Sequence, residues 1–282
     1  MKKYTTIDFN KDFPDDDACL QWLKNYLYPN GIFCKQCGMV TTHHKVGKRP
    51  CYACARCGSH VYPMVGTIFE KSVTLLKLWF YAIFLISSTR SGISAKQLQR
   101  ELGVTYKTAW RIFHAIRSLL REDTKPMSGE VEIDETYIGG KAHGKRGRGA
   151  GNKTLVFGMA QRQGDLKAFA TSNVKHSTIY PIMKQHILPQ SMIYTDEFTT
   201  YDNLNQQGYH HKWVQHASKV YVSGNAHTNT IEGFWSVLKR GIDSVYHAVS
   251  EKHLQGYINE YSFRYNHRQD DKPMFKTVLE KI

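Results

Sequence analysis

Two short cysteine pairs near the start of the chain constrain its fold more than any other feature. Each pair has the form Cys-x-x-Cys-Gly, and residues 38–53 separate the two pairs. Thiolates at this spacing are typical of a four-cysteine zinc ribbon, a small domain that depends on its metal to fold. We therefore predict one structural Zn²⁺ ion. The proposed ligands are Cys34, Cys37, Cys54 and Cys57, with Cys51, His43, His44 and His60 as alternatives.

The charge of the chain favours a polyanionic partner. The 282 residues include 38 Lys and Arg against 24 Asp and Glu, which gives a formal net charge of +14. Such an excess is typical of proteins that bind nucleic acid, although a basic protein without that partner is the alternative. The clustering of cysteines at a metal site indicates a reducing compartment. The longest apolar run, 75–86, is too short to span a bilayer, so we expect a cytoplasmic protein with no membrane partner.

Residues 72–121 are predicted to be helical. Apolar residues recur there at helical spacing, and Ser94 and Thr105 are placed to cap two helices that a glycine separates. A helix, a glycine-containing turn and a basic helix are typical of a helix-turn-helix unit. Lys107 and Arg111 lie near the start of its second helix, where such units contact DNA bases. A three-helix bundle used for packing is the alternative.

Two predicted strands further along the chain each end in an aspartate. Asp134 ends the run Glu-Val-Glu-Ile-Asp, in which the acids share one face, and Asp196 ends Met-Ile-Tyr-Thr-Asp. A predicted amphipathic helix follows at 227–240, with Glu232 in its first turns and Lys239 two turns later on nearly the same side. A solvated ion-pair face would explain the helix alone. Together with the aspartates, Glu232 completes the ligand set of a two-metal phosphoryl-transfer site.

The order of predicted elements from residue 129 onward indicates the fold. Three strands, a helix, a strand, a short helix, a strand and a long helix follow one another, and 244–282 is predicted as one further helix. This is the order of a ribonuclease-H-like domain, in which the first and fourth strands are neighbours. A glycine-rich loop between the first two strands carries Lys145, Arg146 and Arg148 and suits contacts with a phosphate backbone, unless it is simply a solvated loop.

In combination, these motifs resemble the DDE transposases of bacterial insertion sequences, and among them the group with an N-terminal zinc ribbon. The resemblance covers nearly the whole chain. The segments that carry it are Val-Gly-Thr-Ile-Phe at 65–69, Val-Glu-Ile-Asp-Glu-Thr-Tyr-Ile-Gly-Gly-Lys at 131–141, Tyr-Thr-Asp-Glu-Phe-Thr-Thr-Tyr at 194–201, His-Thr-Asn-Thr-Ile-Glu-Gly-Phe-Trp-Ser-Val-Leu-Lys-Arg at 227–240 and Phe-Arg-Tyr-Asn-His-Arg at 263–268.

The resemblance implies that Asp134, Asp196 and Glu232 form a metal-binding catalytic triad, and that Lys239, with Arg240 beside it, contacts DNA near the scissile phosphate. Hard oxygen ligands suit two Mg²⁺ or Mn²⁺ ions. Water would first release a 3′-hydroxyl at the end of the element, and that hydroxyl would then attack target DNA. Because two ends must be joined, the resemblance also implies a homo-oligomer on DNA.

Two other functions share these motifs. A metal-dependent nuclease would need the same triad without strand transfer. A DNA-binding regulator derived from a transposase would have lost the activity. Asn229 is a candidate for a supporting position near the metals, or for the cap of the 227–240 helix together with Thr228, and some relatives carry Asn in place of the third acid.

The predicted fold class is therefore multidomain α+β. We divide the chain into one short N-terminal helical segment at 1–30 and a zinc ribbon at 31–70. A helix-turn-helix-like region at 71–124 and a ribonuclease-H-like catalytic domain with a mixed sheet at 128–282 follow.

Overall fold

A computed structural model describes residues 4–122, 125–139, 153–196, 201, 203–213 and 227–282. The chain forms two compact units. The first consists of Met1–Leu119 together with Asp270–Ile282, and the second of Leu120–Gln269. No helix in the described ranges has both the length and the apolar character needed to cross a membrane.

The first unit begins with two helices, α1 (Thr6–Asp12) and α2 (Asp16–Leu27). The side chains of Thr5 and Asp15 cap them, because each accepts a hydrogen bond from the backbone N–H three residues later. The prediction of a single helix was wrong. Pro14 explains the break, since a proline lacks the backbone N–H and disfavours helical geometry in the residue before it.

A small β-rich region follows and carries the cysteine pairs. A two-stranded sheet and a three-stranded sheet, both antiparallel, form its backbone. Cys34 and Cys54 each end a strand, so the two Cys-x-x-Cys turns extend from neighbouring strand ends. The strands are β1 (Ile32–Cys34), β2 (Met39–Thr41), β3 (His43–Lys45), β4 (Tyr52–Cys54) and β5 (His60–Val61).

Three helices complete the helix-turn-helix-like region, α3 (Leu76–Ser88), α4 (Ala95–Leu102) and α5 (Tyr106–Leu119). The hydroxyls of Ser94 and Thr105 accept hydrogen bonds from the first turns of α4 and α5, as the sequence predicted. Between these helices, Gly103 adopts a left-handed conformation with φ of 63°, which a residue with a side chain rarely adopts.

The C-terminal helix (Met274–Leu279) also belongs to the first unit. The buried ring of Phe275 lies 5.9 Å from the ring centroids of Phe9, Phe13 and Phe84. The sequence division placed this helix in the catalytic domain. Its apolar face instead completes an aromatic cluster with residues from the start of the chain, and burial of such rings is a large stabilising contribution.

The second unit is built on a five-stranded sheet with the order β10-β9-β6-β7-β8. Strands β6, β7 and β8 pair antiparallel, whereas β9 is parallel to both β6 and β10. This order and these directions are those of a ribonuclease-H-like sheet, and they confirm the prediction. The strands are β6 (Glu130–Gly139), β7 (Lys153–Gln161), β8 (Leu166–Thr171), β9 (Met192–Thr195) and β10 (His210–Trp213).

Helices cover both faces of this sheet. Successive residues of a strand point to opposite faces, so the apolar residues of one strand can pack with helices on both sides. Val131 and Ile133 pack with residues of α6 (His176–His186) on one face. On the other face, even-numbered residues of β7 and β8 pack with α7 (Asn229–Gly241) and α8 (Glu251–Asn266). The predicted helix at 227–240 is therefore confirmed as α7.

The prediction of one helix over 244–282 was wrong. A π-helical turn at Ile242–Tyr246 ends at His247, whose φ of 61° interrupts the helix before α8 begins. The chain then leaves α8 after Asn266, and Pro273 starts the C-terminal helix. A left-handed non-glycine residue and a proline both oppose helix continuation.

Side chains of α8 bind the outer edge of β8. Asn266 accepts a hydrogen bond from the backbone N–H of Leu166 (2.8 Å) and donates to its carbonyl (3.1 Å). Gln255 accepts one from the N–H of Ala170 (2.8 Å) and donates to the carbonyl of Ala168 (3.1 Å). Two amide side chains therefore replace a neighbouring strand along this edge.

Candidate metal and catalytic sites

The four predicted zinc ligands form one cluster. The sulfur atoms of Cys34, Cys37, Cys54 and Cys57 all lie within 4.8 Å of one another. Four thiolates around a tetrahedral zinc ion have sulfur atoms about 3.8 Å apart, so this geometry fits one Zn²⁺ ion. Cys51 is buried outside the cluster, which resolves the choice in favour of the second Cys-x-x-Cys-Gly pair.

The surroundings of these thiols differ. The hydroxyl of Thr41, followed by the backbone N–H groups of Cys57 and Arg56, lowers the pKa of Cys54 to about 5. A hydrogen bond with Cys57, together with burial, raises the pKa of Cys37 to about 12. These hydrogen bonds favour the thiolate form of Cys54, whereas Cys37 would lose its proton on binding the cation.

Asp134 and Asp196 are placed by two neighbouring parallel strands. In the register of β6 and β9, Glu132 lies opposite Tyr194, and each aspartate follows two residues later. Burial raises the pKa of Asp134 to about 7, and the charges of Glu135 and Asp196 add to the effect. A partly buried carboxyl group next to other carboxylates is costly to ionise, and a divalent cation would offset that cost.

Glu232 lies in the first turn of α7 with an exposed side chain. One of its carboxylate oxygens accepts a hydrogen bond of 2.6 Å from the hydroxyl of Thr228. Within the described residues, the four cysteines are the group whose ligand atoms are close enough to hold one ion, and the three carboxylates do not form such a group. Asp196 directly follows β9, as predicted, but the prediction that Asp134 ends its strand was wrong, because β6 continues to Gly139 and Asp134 lies within it, just beyond the pairing with β9. The structure therefore places Asp134 and Asp196 on neighbouring strands, while Glu232 is bonded to Thr228.

Trp235 connects α7 to the first aspartate. Its indole N–H donates a hydrogen bond of 2.9 Å to Asp134. Asp134 pairs with Gly158 on β7, and a Cβ atom at Gly158 would lie 2.6 Å from the indole ring of Trp235. The missing side chain of Gly158 is thus the space that allows the indole to reach the carboxylate. The sequence predicted Trp235 only as an apolar residue of the helix.

Glu132 caps α7, and sequence reasoning did not identify this role. Its fully buried carboxylate accepts hydrogen bonds from the backbone N–H groups of Thr230 (2.7 Å) and Ile231 (3.2 Å). Thr228 occupies the N-cap position, as the sequence predicted, and its carbonyl accepts a hydrogen bond from the N–H of Glu232, but the side-chain cap comes from Glu132. Thr228 makes no side-chain capping bond, and Asn229 is exposed. The available signal was the alternation in β6, which places Glu132 on the same face as Asp134.

Comparison with protein families identifies the two parts of the chain. Residues 126–266, half of the chain, match the model of the ISXO2-like transposase domain. The chain belongs to this transposase family. Residues 14–60 match the transposase zinc-ribbon domain, in agreement with the cysteine cluster.

Two relatives of the chain have names that refer to a transposable element or a transposase, and one solved structure is also similar to it. This transposase family member is 28% identical over 292 residues to a protein of the transposable element ISH50 of Halobacterium salinarum, covering 96% of this chain and 98% of that protein. It is 28% identical over 97 residues to a transposase-like protein of Haemophilus influenzae, covering 34% of this chain and 77% of that protein. A crystal structure of a pre-cleavage Mos1 transpososome matches with 10% identity and a TM-score of 0.28, covering 71% of this chain and 77% of that chain.

The candidate DNA-binding residues of this transposase family member fall in different surroundings. Lys107 is exposed on the first turn of α5, and Lys239 and Arg240 are exposed near the end of α7. The guanidinium of Arg111 lies 5.7 Å from the ring centroid of Trp79. Arg111 also donates to the hydroxyls of two residues before α3, Ser72 and Thr74. The predicted contacts of Lys145, Arg146 and Arg148 lie outside the described residues.

Proposed function

We propose that this chain is a cytoplasmic DNA transposase that cleaves the ends of its insertion sequence and transfers the new 3′ end into target DNA. The observation that carries the proposal is the position of Asp134 and Asp196. Inside a transposase domain, Asp134 lies on β6 just beyond its pairing with β9, and Asp196 directly follows β9. The pKa of Asp134 is raised. Neighbouring carboxyl groups with a perturbed pKa are typical of catalytic sites.

Asp134, Asp196 and Glu232 would hold two Mg²⁺ or Mn²⁺ ions, because carboxylate oxygens are the ligands that these hard cations prefer. When bound, such ions lower the energy of both the attacking and the leaving oxygen in phosphoryl transfer. Glu232 would join the aspartates by rotating its exposed side chain away from the Thr228 hydroxyl. Trp235 would keep one oxygen of Asp134 in place through its indole N–H.

The same site would serve both chemical steps. In the first step, a bond forms between a water oxygen and the phosphorus at the end of the element, and the bond from phosphorus to the 3′ oxygen breaks. In the second step, the released 3′ oxygen attacks a phosphorus of the target DNA and displaces a 3′ oxygen there. Each step exchanges one phosphorus–oxygen bond for another, so the two reactions need no external energy source.

Exposed basic residues would hold the DNA. Lys239 and Arg240 would contact phosphates near the catalytic carboxylates, because they lie on the same helix as Glu232. Lys107, on the second helix of the helix-turn-helix-like region, would contact bases at the element ends. The net charge of +14 supports a polyanionic partner, and pairing two element ends would require a homo-oligomer on DNA.

The test combines labelled element ends, target DNA and Mg²⁺ with the variants Asp134→Asn, Asp196→Asn and Glu232→Gln. These substitutions keep shape but remove ligand charge, so we expect nicked and joined products to disappear together. DNA binding measured without divalent ions should persist. Asn229→Ala is the matched control, since Asn229 is exposed on the same helix turn as Glu232 and should retain both products.

Three results would contradict the proposal in different ways. Nicked products without joined products from the unaltered protein would indicate a nuclease. Specific binding of element ends without cleavage would indicate a regulator. Loss of cleavage in Asn229→Ala with retention in Glu232→Gln would show that the third ligand is assigned to the wrong residue.

A further inference from the structure

A buried charge lies next to the candidate catalytic carboxylates without belonging to the triad. The side chain of Glu132 is fully buried in the sheet on the face that carries Asp134. It accepts hydrogen bonds from the backbone N–H of Thr230, the hydroxyl of Thr230 and the backbone N–H of Ile231, all in the first turn of α7. A carboxylate at this position binds free N–H groups and is favoured by the helix dipole.

Arg162 at the end of β7 neutralises this charge and extends the connection. Its Nε atom donates to Glu132 at 2.9 Å, and an Nη atom donates to the carbonyl of His227 at 3.0 Å, just before α7. The guanidinium also lies 4.1 Å from the ring centroid of Tyr194 on β9. Arg162 therefore ties the start of α7 to the strand that leads to Asp196.

Two contacts between β6 and α7 consequently lie on either side of Glu232 in sequence. Glu132 holds Thr230 and Ile231, and the Asp134 carboxylate holds the indole of Trp235. Residues two apart in a strand are separated by roughly 7 Å and point to the same face. The helix is thus attached to one short segment of β6 both before and after Glu232.

We propose that Glu132 is a positioning residue that fixes the start of α7 so that Glu232 can complete the metal site formed with Asp134 and Asp196. This inference rests on the proposed function, because it concerns the same site. Glu132 itself does not touch DNA or the reacting atoms, since its carboxylate is enclosed by the helix start and by Arg162.

The test compares Glu132→Gln with Glu130→Gln. Glu130 lies on the same strand face and also contacts Arg162, at 3.6 Å, but it is exposed and bonded to Tyr194 rather than to α7. Glutamine at position 132 keeps the shape, but only one of its two terminal atoms can accept hydrogen bonds. It must therefore lose either the bonds from the helix N–H groups or those from Arg162 and the Thr230 hydroxyl. The measurement is Mn²⁺ binding to the DNA-free, zinc-loaded protein by electron paramagnetic resonance. It is followed by the Mg²⁺ dependence of end cleavage and by hydrogen exchange of 227–235, which reports on the start of α7. Thermal unfolding is the folding control.

We expect Glu132→Gln to weaken Mn²⁺ binding by about 10–100-fold and to raise the Mg²⁺ concentration for half-maximal cleavage by a similar factor, as for other residues that orient metal ligands. Exchange at 227–235 should increase, while Glu130→Gln should match the unaltered protein. If Glu132→Gln does not fold, Thr230→Val removes one bond to Glu132 and should shift Mn²⁺ affinity in the same direction by a smaller factor.

The outcomes separate this inference from the proposed function. Suppose that Asp134→Asn abolishes Mn²⁺ binding, but Glu132→Gln binds Mn²⁺ as tightly as Glu130→Gln. The positioning role is then wrong, and the metal site stands. Thr230→Val takes the place of Glu132→Gln if that variant does not fold. If the unaltered protein neither binds Mn²⁺ at Asp134 nor cleaves DNA, the proposed function itself fails.

Discussion

At the scale of single residues, Asp134 is held in surroundings that oppose its own charge. Its pKa is raised to about 7 by burial and by the neighbouring acids, while the indole of Trp235 and the backbone N–H of Glu135 favour the ionised form. A nearby cation favours the ionised form of such a carboxyl group, so binding of a metal ion would displace its proton. The site thus stores unfavourable electrostatic energy that a cation would release.

This imbalance gives a pH-dependent stability. Because the pKa of Asp134 is higher in the folded than in the unfolded protein, its ionisation should destabilise the fold as pH rises from about 4 to about 7. Without added Mg²⁺, Asp134→Asn should therefore be more stable than the unaltered protein near pH 8, by up to about 4 kcal/mol at about 1.4 kcal/mol for each of about three pKa units. The difference should vanish near pH 4 in thermal unfolding curves.

Glu232→Gln provides the comparison, because Glu232 is exposed and its substitution should leave stability nearly the same across this pH range. Added Mg²⁺ should raise the melting temperature of the unaltered protein and leave Asp134→Asn unaffected. A melting temperature of Asp134→Asn equal to that of the unaltered protein at every pH would contradict the electrostatic argument.

At the scale of elements, the site depends on how α7 meets β6 and β7. The period of Ile231, Phe234 and Trp235 predicted the helix, and the alternation in β6 predicted which face carries the acids, because both patterns are local. The cap of α7 could not be predicted in this way, since Glu132 and Thr230 are 98 residues apart in sequence. The role of Gly158 was hidden for the same reason, because only the fold places it under Trp235.

We expect Gly158→Ala to push α7 away from the sheet. The added Cβ would lie 2.6 Å from Trp235 and 2.9 Å from Ile231, which is closer than packed carbon atoms approach. Overpacking of this kind typically costs about 1–3 kcal/mol in the free energy of unfolding. Because Trp235 also orients Asp134, end cleavage should fall as well, as measured by denaturant unfolding and the cleavage assay.

Gly233→Ala is the matched control on α7 itself. A Cβ there meets no atom within 4 Å, and alanine favours a helix over glycine by about 1 kcal/mol, so this variant should be at least as stable as the unaltered protein. Equal stability and equal cleavage in both alanine variants would show that the Gly158–Trp235 contact does not set the position of the helix.

At the scale of the whole molecule, the chain leaves its first unit after Leu119 and returns to it at Asp270. The transposase domain, matched at 126–266, is thus inserted in sequence between two parts of the N-terminal unit. The sequence division at 128–282 missed this return. Helical period identifies an apolar face, but it does not reveal that the rings which cover Phe275 come from the first helices of the chain.

Removal of residues 270–282 should therefore destabilise the first unit, which contains the zinc ribbon, and not the second unit, Leu120–Gln269. Phe275→Ala should lower the free energy of unfolding by about 3–5 kcal/mol, the range for truncating a buried phenylalanine.

A fragment of 120–269 should fold with the circular dichroism of an α/β domain, whereas one of 1–119 should be less stable than the same residues in the full chain. Equal melting of 1–119 and the N-terminal unit of the full chain would contradict this assignment.

The amide side chains along β8 protect this sheet edge from pairing with other molecules. An open strand edge recruits strands from other molecules, and the risk grows with local concentration. Gln255 and Asn266 already bind backbone groups of Leu166, Ala168 and Ala170, so an incoming strand would first have to displace both amides. At high local concentration, copies of the protein are therefore less prone to pair through this sheet edge.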